Sequence, residues 1–336
     1  MDAEVIVIDN NSCDDSCKMV KKHFPQTHLI ENDENMGFSR ANNQAVKKAK
    51  GNYICILNPD TVVAEDTFEK LITFVEAIEK VGVVGCKLID GKGEFLPESK
   101  RNLPVVKVAM RKQLGNPELY YANQLKENET GEVPILVGAF MFLKREVFNE
   151  INGFDEDYFM YGEDIDLSYK VLKKGYKNYY FSGTSVIHFK GESTLKDHTY
   201  AKRFYGAMKI FYKKHFRKNW LYDILISGAV KLANMSYKMQ KELPLKVVEY
   251  VIISDSEKKA LAEKLDKKVR WEKEPIDIKQ YTEIIFDANY MSYKTIVEHM
   301  NNKNLNTIAT FKILPKNTNF IIGSNSATQQ GEVLIF

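Results

Sequence analysis

The chain has 336 residues, enough for one large domain with a smaller companion or two of moderate size. With 44% hydrophobic and 28% charged residues it has the make-up of a soluble globular protein, and a net charge of +3 provides no global field for nucleic acid. The four cysteines, Cys13, Cys17, Cys55 and Cys86, form neither a CxxC pair nor the Cys/His spacing of a zinc site, which points to a reducing, cytoplasmic setting. No run is long and apolar enough to span a bilayer, and the first apolar run is too short for a signal peptide.

In chain order, the β-branched run Glu4–Ile8 predicts a strand, Ser16–His23 a helix, Thr27–Ile30 a short strand and Ser39–Ala49 a helix closed before Gly51. Tyr53–Leu57 is a second apolar strand, Ala64–Glu79 a long amphipathic helix and Val81–Leu88 a third strand. This alternation predicts an open α/β sheet with parallel strands. Residues 89–132 read as a polar excursion with a helix around Val105–Leu114. Ile135–Leu143 is then a strand, Asp164–Lys174 a helix stopped by Gly175, and Tyr179–Phe181 and Thr184–His188 are strands.

Residues 200–241 change character, with ten Lys/Arg against one acid, Asp223, interleaved with aromatics. They fit either a helix packing its aromatics on the core or a basic amphipathic surface facing an anionic membrane. No nucleic-acid recognition motif accompanies the charge. A boundary is placed near Pro244. Beyond it, strands at Val247–Ile253, Glu283–Phe286, Thr307–Ile313, Asn319–Ile322 and Val333–Ile335, with helices at Glu257–Leu265 and Tyr293–Met300, predict a second, smaller α/β unit.

Open α/β sheets bind ligands beyond the C-terminal ends of their strands, and several polar clusters fall there. Asp9-Asn10-Asn11-Ser12 follows the first strand, where a capping turn is the simpler role. Asn58-Pro59-Asp60 follows Tyr53–Leu57. Proline fixes the backbone and holds Asn58 extended, which aims the Asp60 carboxylate out at the rim, where it suits a hard cation; an Asn-Pro turn is the structural alternative. His188 ends a strand and is either a metal ligand or a structural hydrogen-bonder. In the acidic, aromatic run Gly153–Asp166, Asp164 is placed at a helix N-cap. Aromatic walls there would raise a carboxylate's proton affinity toward the range of a general base. In the tail, Glu283–Asn289 ends a strand in a ligand-like way, but turn chemistry is its simpler explanation.

Six pieces taken in order resemble the family 2 glycosyltransferases of the GT-A fold, especially the bacterial rhamnosyltransferase-like branch. They are Val7-Ile8-Asp9-Asn10-Asn11-Ser12; Asn35-Met36-Gly37-Phe38-Ser39-Arg40-Ala41-Asn42-Asn43; Leu57-Asn58-Pro59-Asp60; Gly138-Ala139-Phe140-Met141 with Gly153-Phe154-Asp155-Glu156; Tyr161-Gly162-Glu163-Asp164-Ile165-Asp166-Leu167; and His188-Phe189-Lys190-Gly191-Glu192-Ser193. The resemblance covers about residues 4–215. It implies a Rossmann-like open sheet that binds a nucleotide-diphosphate sugar, with Asp9, Asn11, Asn35, Gly37, Arg40 and Asn43 around the nucleotide and Asn58 and Glu163 on the substrate. Asp60 and His188 would stand toward a Mg²⁺ or Mn²⁺ ion, and Asp164 would be the catalytic base of an inverting single displacement. Members of this family usually begin with another strand and helix, so the expectation is an N-terminally truncated domain whose first strand here is an edge.

The domain expectation is therefore a transferase domain over 1–215, a basic aromatic linker over 216–244 and a small α/β domain over 245–336. The functional expectation is transfer of a sugar, rhamnose by the branch resemblance, to a glycan or polyprenyl-linked acceptor at the inner membrane face during cell-surface polysaccharide synthesis. The competing readings are a truncated, non-catalytic sugar-nucleotide-binding or scaffolding protein and a nucleotidyltransferase on a related fold.

Overall fold

The computed structural model describes residues 2–105, 108, 111, 116, 118–190, 198–216, 246–276, 278–301, 308–326 and 331–336. The linker over 216–244, the boundary at Pro244, most of the helix expected around Val105–Leu114 and the Gly191-Glu192-Ser193 piece lie outside the described residues.

The chain opens with strand β1 (Ile6–Asp9), helix α1 (Ser16–His23) and strand β2 (His28–Glu31), and the two strands pair in parallel as a sheet of their own. Ile6, Val7 and Ile8 are only half-buried. Helix α2 (Phe38–Lys48) follows, with Ala41, Asn43 and Val46 on its buried face.

A larger sheet carries the rest of the first half. Its strands are β3 (Tyr53–Leu57), β4 (Thr61–Val63), β5 (Val81–Ile89), β6 (Gly131–Glu132), β7 (Phe140–Lys144) and β8 (Lys177–His188). They run in the order β3-β7-β5-β8-β4, with β6 also pairing β8. The expectation of an all-parallel sheet is corrected here: β7 is antiparallel to β3 and β5, and β4 to β8, while β5 and β8 are parallel. β7 enters from the long excursion rather than from a crossover helix, so nothing forces it into a parallel register. The two short strands expected over 179–188 are one twelve-residue strand. All nine residues of β5 are buried, as befits a central strand covered on both faces.

Helix α3 (Thr67–Glu76) packs Leu71 and Val75 on one face of this sheet, with Phe68 beside Phe140 and Phe142. The other face takes Val46, Phe154, Leu167 and Val171, supplied in part by helices α4 (Arg145–Glu150) and α5 (Glu163–Lys173). Each fully buried aliphatic or aromatic side chain here contributes roughly 1.5–3 kcal/mol of transfer free energy. Helix α6 (His198–His215) lays Ala207, Met208, Phe211 and Tyr212 on Tyr158 and Ile165, with Lys209, Lys213 and Lys214 exposed. Over its described part, the basic aromatic stretch is thus a helix with its aromatics in the core.

The C-terminal sheet contains β9 (Glu249–Ile253), β10 (Lys268–Glu272), β11 (Thr282–Asp287), β12 (Ala309–Leu314), β13 (Phe320–Gly323) and β14 (Glu332–Ile335), in the order β10-β9-β11-β12-β13-β14. The first four are parallel and the last two antiparallel. Strand β10 has no counterpart in the sequence expectations, because Lys268-Val269-Arg270-Trp271-Glu272 sets charged residues at both ends of an edge strand. Helices α7 (Lys259–Lys264) and α8 (Tyr293–Asn301) complete this unit. It shares one apolar cluster with the first half: Val62, Ile89, Ile187 and Phe189 pack with Val251, Phe286, Ile296 and Met300. Across the same seam, the Glu65 carboxylate accepts the backbone N–H groups of Tyr293 and Lys294, capping α8, and Lys294 pairs with Asp66 at 2.8 Å.

Candidate active site

The C-terminal end of β3, the entry to β7, the C-terminal end of β8 and the N-terminus of α5 meet at one rim. Backbone hydrogen bonds fix the meeting. The Asn58 N–H donates to the carbonyl of Ala139, and the N–H of the neighbouring Gly138 donates to Asp164 Oδ2 at 3.0 Å. A Cβ on Gly138 would make only an ordinary contact with Asp164 Cβ, at 3.4 Å, so it is the backbone N–H of this residue that joins the two elements. The Asn58-Pro59-Asp60 cluster and the Glu163-Asp164 pair, about a hundred residues apart in the chain, thus lie on two sides of this rim.

The first side is Asp60 with His188. Proline gives the Asn-Pro turn, the Thr61 hydroxyl donates to the Asn58 carbonyl, and Thr61 then pairs with His188 across β4 and β8. The Phe189 N–H donates to the Asp60 carbonyl. This register places His188 Nε2 3.3 Å from Asp60 Oδ1. Both side chains are at least nine-tenths buried. Asp60 Oδ1 and His188 Nδ1 have no hydrogen-bond partner in the structure. Buried polar atoms are rarely left so, and an orphaned carboxylate oxygen beside an imidazole suits a divalent cation. Among the described residues no third His, Cys, Asp or Glu joins them, so other ligands would come from the substrate.

The second side is Glu163-Asp164. The helix starts one residue earlier than expected: Gly162, at φ +80°, is the N-cap, and Asp164 lies inside the first turn. Asp164 is held from three directions. Oδ2 accepts the Gly138 N–H and Arg101 Nη2 at 2.6 Å, and Oδ1 accepts the N–H of Ile165. Burial works against the charge of the Arg101 guanidinium, but the carboxylate of Asp164 and the phenol of Tyr120 more than offset it, so it stays charged. Glu163 is buried and its Oε2 is unpartnered. Burial, reinforced by the negative charge of Asp164, pushes its carboxyl up to about 8.

Further along α5, Asp166 is fully buried and receives His215 Nε2 at 2.5 Å and the Tyr158 hydroxyl at 3.4 Å, which ties α6 to the helix that carries Asp164.

The residues expected around the nucleotide are also brought together. The Asp9 carboxylate accepts the Ser12 N–H and closes a local turn, but it does not cap α1, whose N-cap is Asp15. Burial raises the proton affinity of Asp9, but the Ser12 contacts outweigh that and hold it below its usual range. Asn11 follows at φ +64°. Asn10 donates to the Gly37 carbonyl and accepts from Asn32, and Asn35 Oδ1 accepts the Gly37 N–H. Gly37 stands at φ +82°, and a Cβ there would come within 2.5 Å of the Phe159 carbonyl, so only glycine lets this loop lie against the acidic run. Arg40 pairs loosely with Glu156 at 3.5 Å, both about half exposed. Asn43 is buried, and its amide is spent on the Phe154 backbone and Glu156.

Arg101 carries no expectation from the sequence. It lies in the polar excursion of residues 89–132, and nothing in Lys100-Arg101-Asn102-Leu103-Pro104 marks it. Only the backbone pairing of Arg101 with Ile135 and Tyr121 brings it beneath Asp164.

The profile of the family described as Glycosyl transferase family 2 matches residues 1–152, and that described as N-terminal domain of galactosyltransferase matches residues 126–192. An N-acetylglucosaminyl-diphospho-decaprenol L-rhamnosyltransferase of Mycobacterium tuberculosis is 25% identical over 210 residues, covering 57% of this chain and 68% of that protein. Rhamnosyltransferase WbbL of Escherichia coli is 28% identical over 192 residues, covering 55% of this chain and 72% of its own. Among solved structures, mannosyltransferase PcManGT from Pyrobaculum calidifontis, in complex with GDP-Man and Mn²⁺, superimposes with a TM-score of 0.43 at 22% identity, covering 69% of this chain and 61% of that one. The family profile and the names of the curated relatives agree: residues 1–152 carry a glycosyltransferase family 2 domain.

Proposed function

We propose that this glycosyltransferase moves a sugar, with inversion, from a nucleotide-diphosphate donor to a hydroxyl of a glycan or polyprenyl-linked acceptor. The observation that carries the reading is the single rim on which a well-held carboxylate, Asp164, and an orphaned one, Asp60, are joined through Gly138 and Ala139. The donor's nucleoside lies toward Asp9, Asn11, Asn35, Gly37 and Arg40, on the loops that Asn10 draws together. Asn58 and Glu163 face the sugar and the acceptor.

Asp164 takes the proton of the acceptor hydroxyl as its oxygen attacks the anomeric carbon. The bond from that carbon to the diphosphate oxygen breaks on the opposite side, and the electron pair leaves with the nucleoside diphosphate. One base suffices, because the leaving group is already a stable anion and needs no acid partner. Asp60 and His188 would hold Mg²⁺ or Mn²⁺, which when bound supplies positive charge against the departing diphosphate. Glu163, protonated at neutral pH by its burial, can donate a hydrogen bond to a substrate oxygen.

Rhamnose as the sugar and a lipid-linked acceptor rest on what the relatives are named for. The exposed Lys209 and Lys213 on α6 support work at an anionic membrane face. Among the described residues no helix is long and apolar enough to cross a membrane. We infer that residues 1–215 form the transferase domain, 216–244 a linker and 245–336 a domain seated on it.

The test is a panel of dTDP-rhamnose, UDP-galactose, UDP-N-acetylglucosamine and GDP-mannose, each with Mg²⁺, Mn²⁺ or EDTA. Turnover of one donor that EDTA removes and Mn²⁺ restores is expected. Calorimetric binding of a donor without turnover would instead favour a binding or scaffolding role.

A further inference from the structure

The segment Glu98-Ser99-Lys100-Arg101 runs between the two sides of the site and touches both. At one end the Glu98 carboxylate forms an ion pair with Lys190, two residues beyond His188. At the other end Arg101 holds Asp164. Between them the segment is fixed to the core. The Ser99 hydroxyl accepts the Leu88 N–H and donates to the Leu96 carbonyl. Lys100 Nζ donates to the carbonyls of Ala122 and Leu125, and Arg101 exchanges two backbone hydrogen bonds with Ile135. Ser99, Lys100 and Arg101 are all buried.

Arg101 is not a mobile charge. One nitrogen, Nη2, donates both to Asp164 Oδ2 and to the Leu136 carbonyl at 2.5 Å, and Nη1 reaches the Tyr120 hydroxyl at 3.5 Å. A planar guanidinium held at three points fixes the plane of the carboxylate it grips. With the Gly138 N–H it fully engages Oδ2. Oδ1 keeps one donor, the Ile165 N–H, and among the described residues its other lone pair is open. Oδ1 is therefore the oxygen that receives the acceptor's proton.

We propose that Glu98–Arg101 is a positioning strap that sets the separation between the base and the diphosphate corner, with Arg101 orienting Asp164 and Glu98 fixing, through Lys190, the strand end that bears His188. The inference rests on the reading of Asp164 as base. Neither strap residue touches the reacting atoms, so each acts through its partner. The charged and titratable groups that face Asp164 are Arg101 and Glu163, with Tyr120 behind the guanidinium.

The experiment uses the full chain and the donor of the four-donor panel that it hydrolyses fastest with Mn²⁺. Arg101→Met is expected to lower kcat about 100-fold, the scale of a misplaced catalytic group, with donor KM within threefold. Arg101→Lys keeps the charge and loses the fork, and is expected to recover part of kcat at the same KM. Glu98→Gln is expected to raise donor KM and the Mn²⁺ requirement about tenfold while kcat stays within threefold. If Arg101→Met does not fold, Arg101→Lys carries the test, since parental kcat in that variant overturns the strap. Arg101→Met with parental kcat, alongside an inactive Asp164→Asn, also overturns the strap and leaves the base reading standing. Asp164→Asn hydrolysing within twofold of the parent overturns the base reading itself.

Discussion

The two six-stranded sheets among the described residues place an aspartate at or just beyond the C-terminal end of a strand, with opposite outcomes. In the C-terminal sheet, Asp287 ends β11 next to the point where the strand order reverses, the place such folds use for ligands. It is closed. The Ser254 hydroxyl donates to Oδ2, the Asn289 backbone and side chain donate to Oδ1, and Lys258 lies 3.6 Å away. Asp60, at the rim of the first-half sheet, keeps a carboxylate oxygen without a hydrogen bond, as does Glu163, and His188 keeps an unpartnered Nδ1. Position on the fold thus does not by itself separate a site from a turn. A folded protein tolerates an orphaned buried polar atom at a cost of about 1–3 kcal/mol, and three around one rim call for a ligand that supplies the missing partners.

The largest test of this contrast is to remove the aspartates in parallel. Asp60→Ala and Asp164→Asn are each expected to lower transfer by roughly 10³-fold while the circular-dichroism spectrum is unchanged. Asp287→Ala is expected to leave transfer at 25 °C within twofold. A transfer loss in Asp287→Ala comparable to that of Asp60→Ala would show that the closed cluster also works. His188→Ala should fall between, at about 10–100-fold, with the Mn²⁺ concentration for half-maximal rate rising. Stability should reverse the ranking: Asp287→Ala strands the Ser254 and Asn289 donors and should lower the unfolding free energy by about 1–3 kcal/mol, read from the urea midpoint, whereas Asp60→Ala should cost little or stabilise.

The smallest expected effect is a pH slope from Glu163. Its carboxyl rises from 4.5 to about 8 on folding, so between those values the folded chain holds a proton that the unfolded chain does not. Stability from this group is full below about 4.5 and is lost as pH climbs toward about 8. Glu163→Gln removes the slope, so its melting temperature relative to the parent should rise from pH 5 to pH 8. A flat difference would place Glu163 in a wetter, ordinary environment.

Much of this was readable beforehand, and the limits are specific. Elements whose signal is local were found within a few residues: Tyr53–Leu57, Ser16–His23 and the C-terminal strands Phe320–Gly323 and Glu332–Ile335. Strand direction was not, because β7 and β4 owe their orientation to partners distant in sequence. The Asn58-Pro59-Asp60 cluster and the Glu163-Asp164 pair were visible as motifs. That they meet depends on Gly138 and Ala139, whose backbone N–H and carbonyl carry no side-chain signature. Arg101 was invisible for the same reason: a surface-like Lys-Arg pair in a polar loop becomes buried only when the loop pairs back on Ile135.

The shared apolar cluster has a practical consequence for anyone seeking a minimal enzyme. Ile187 and Phe189 flank His188 on β8, and both are roofed by residues from beyond position 246. Cutting the chain there would not free a catalytic half. It would leave Val62, Ile89, Ile187 and Phe189 as a bare greasy scar directly behind Asp60 and His188, and would strip α8 from the Glu65 carboxylate that receives it. A shortened version is better begun by replacing those four side chains than by moving the stop codon.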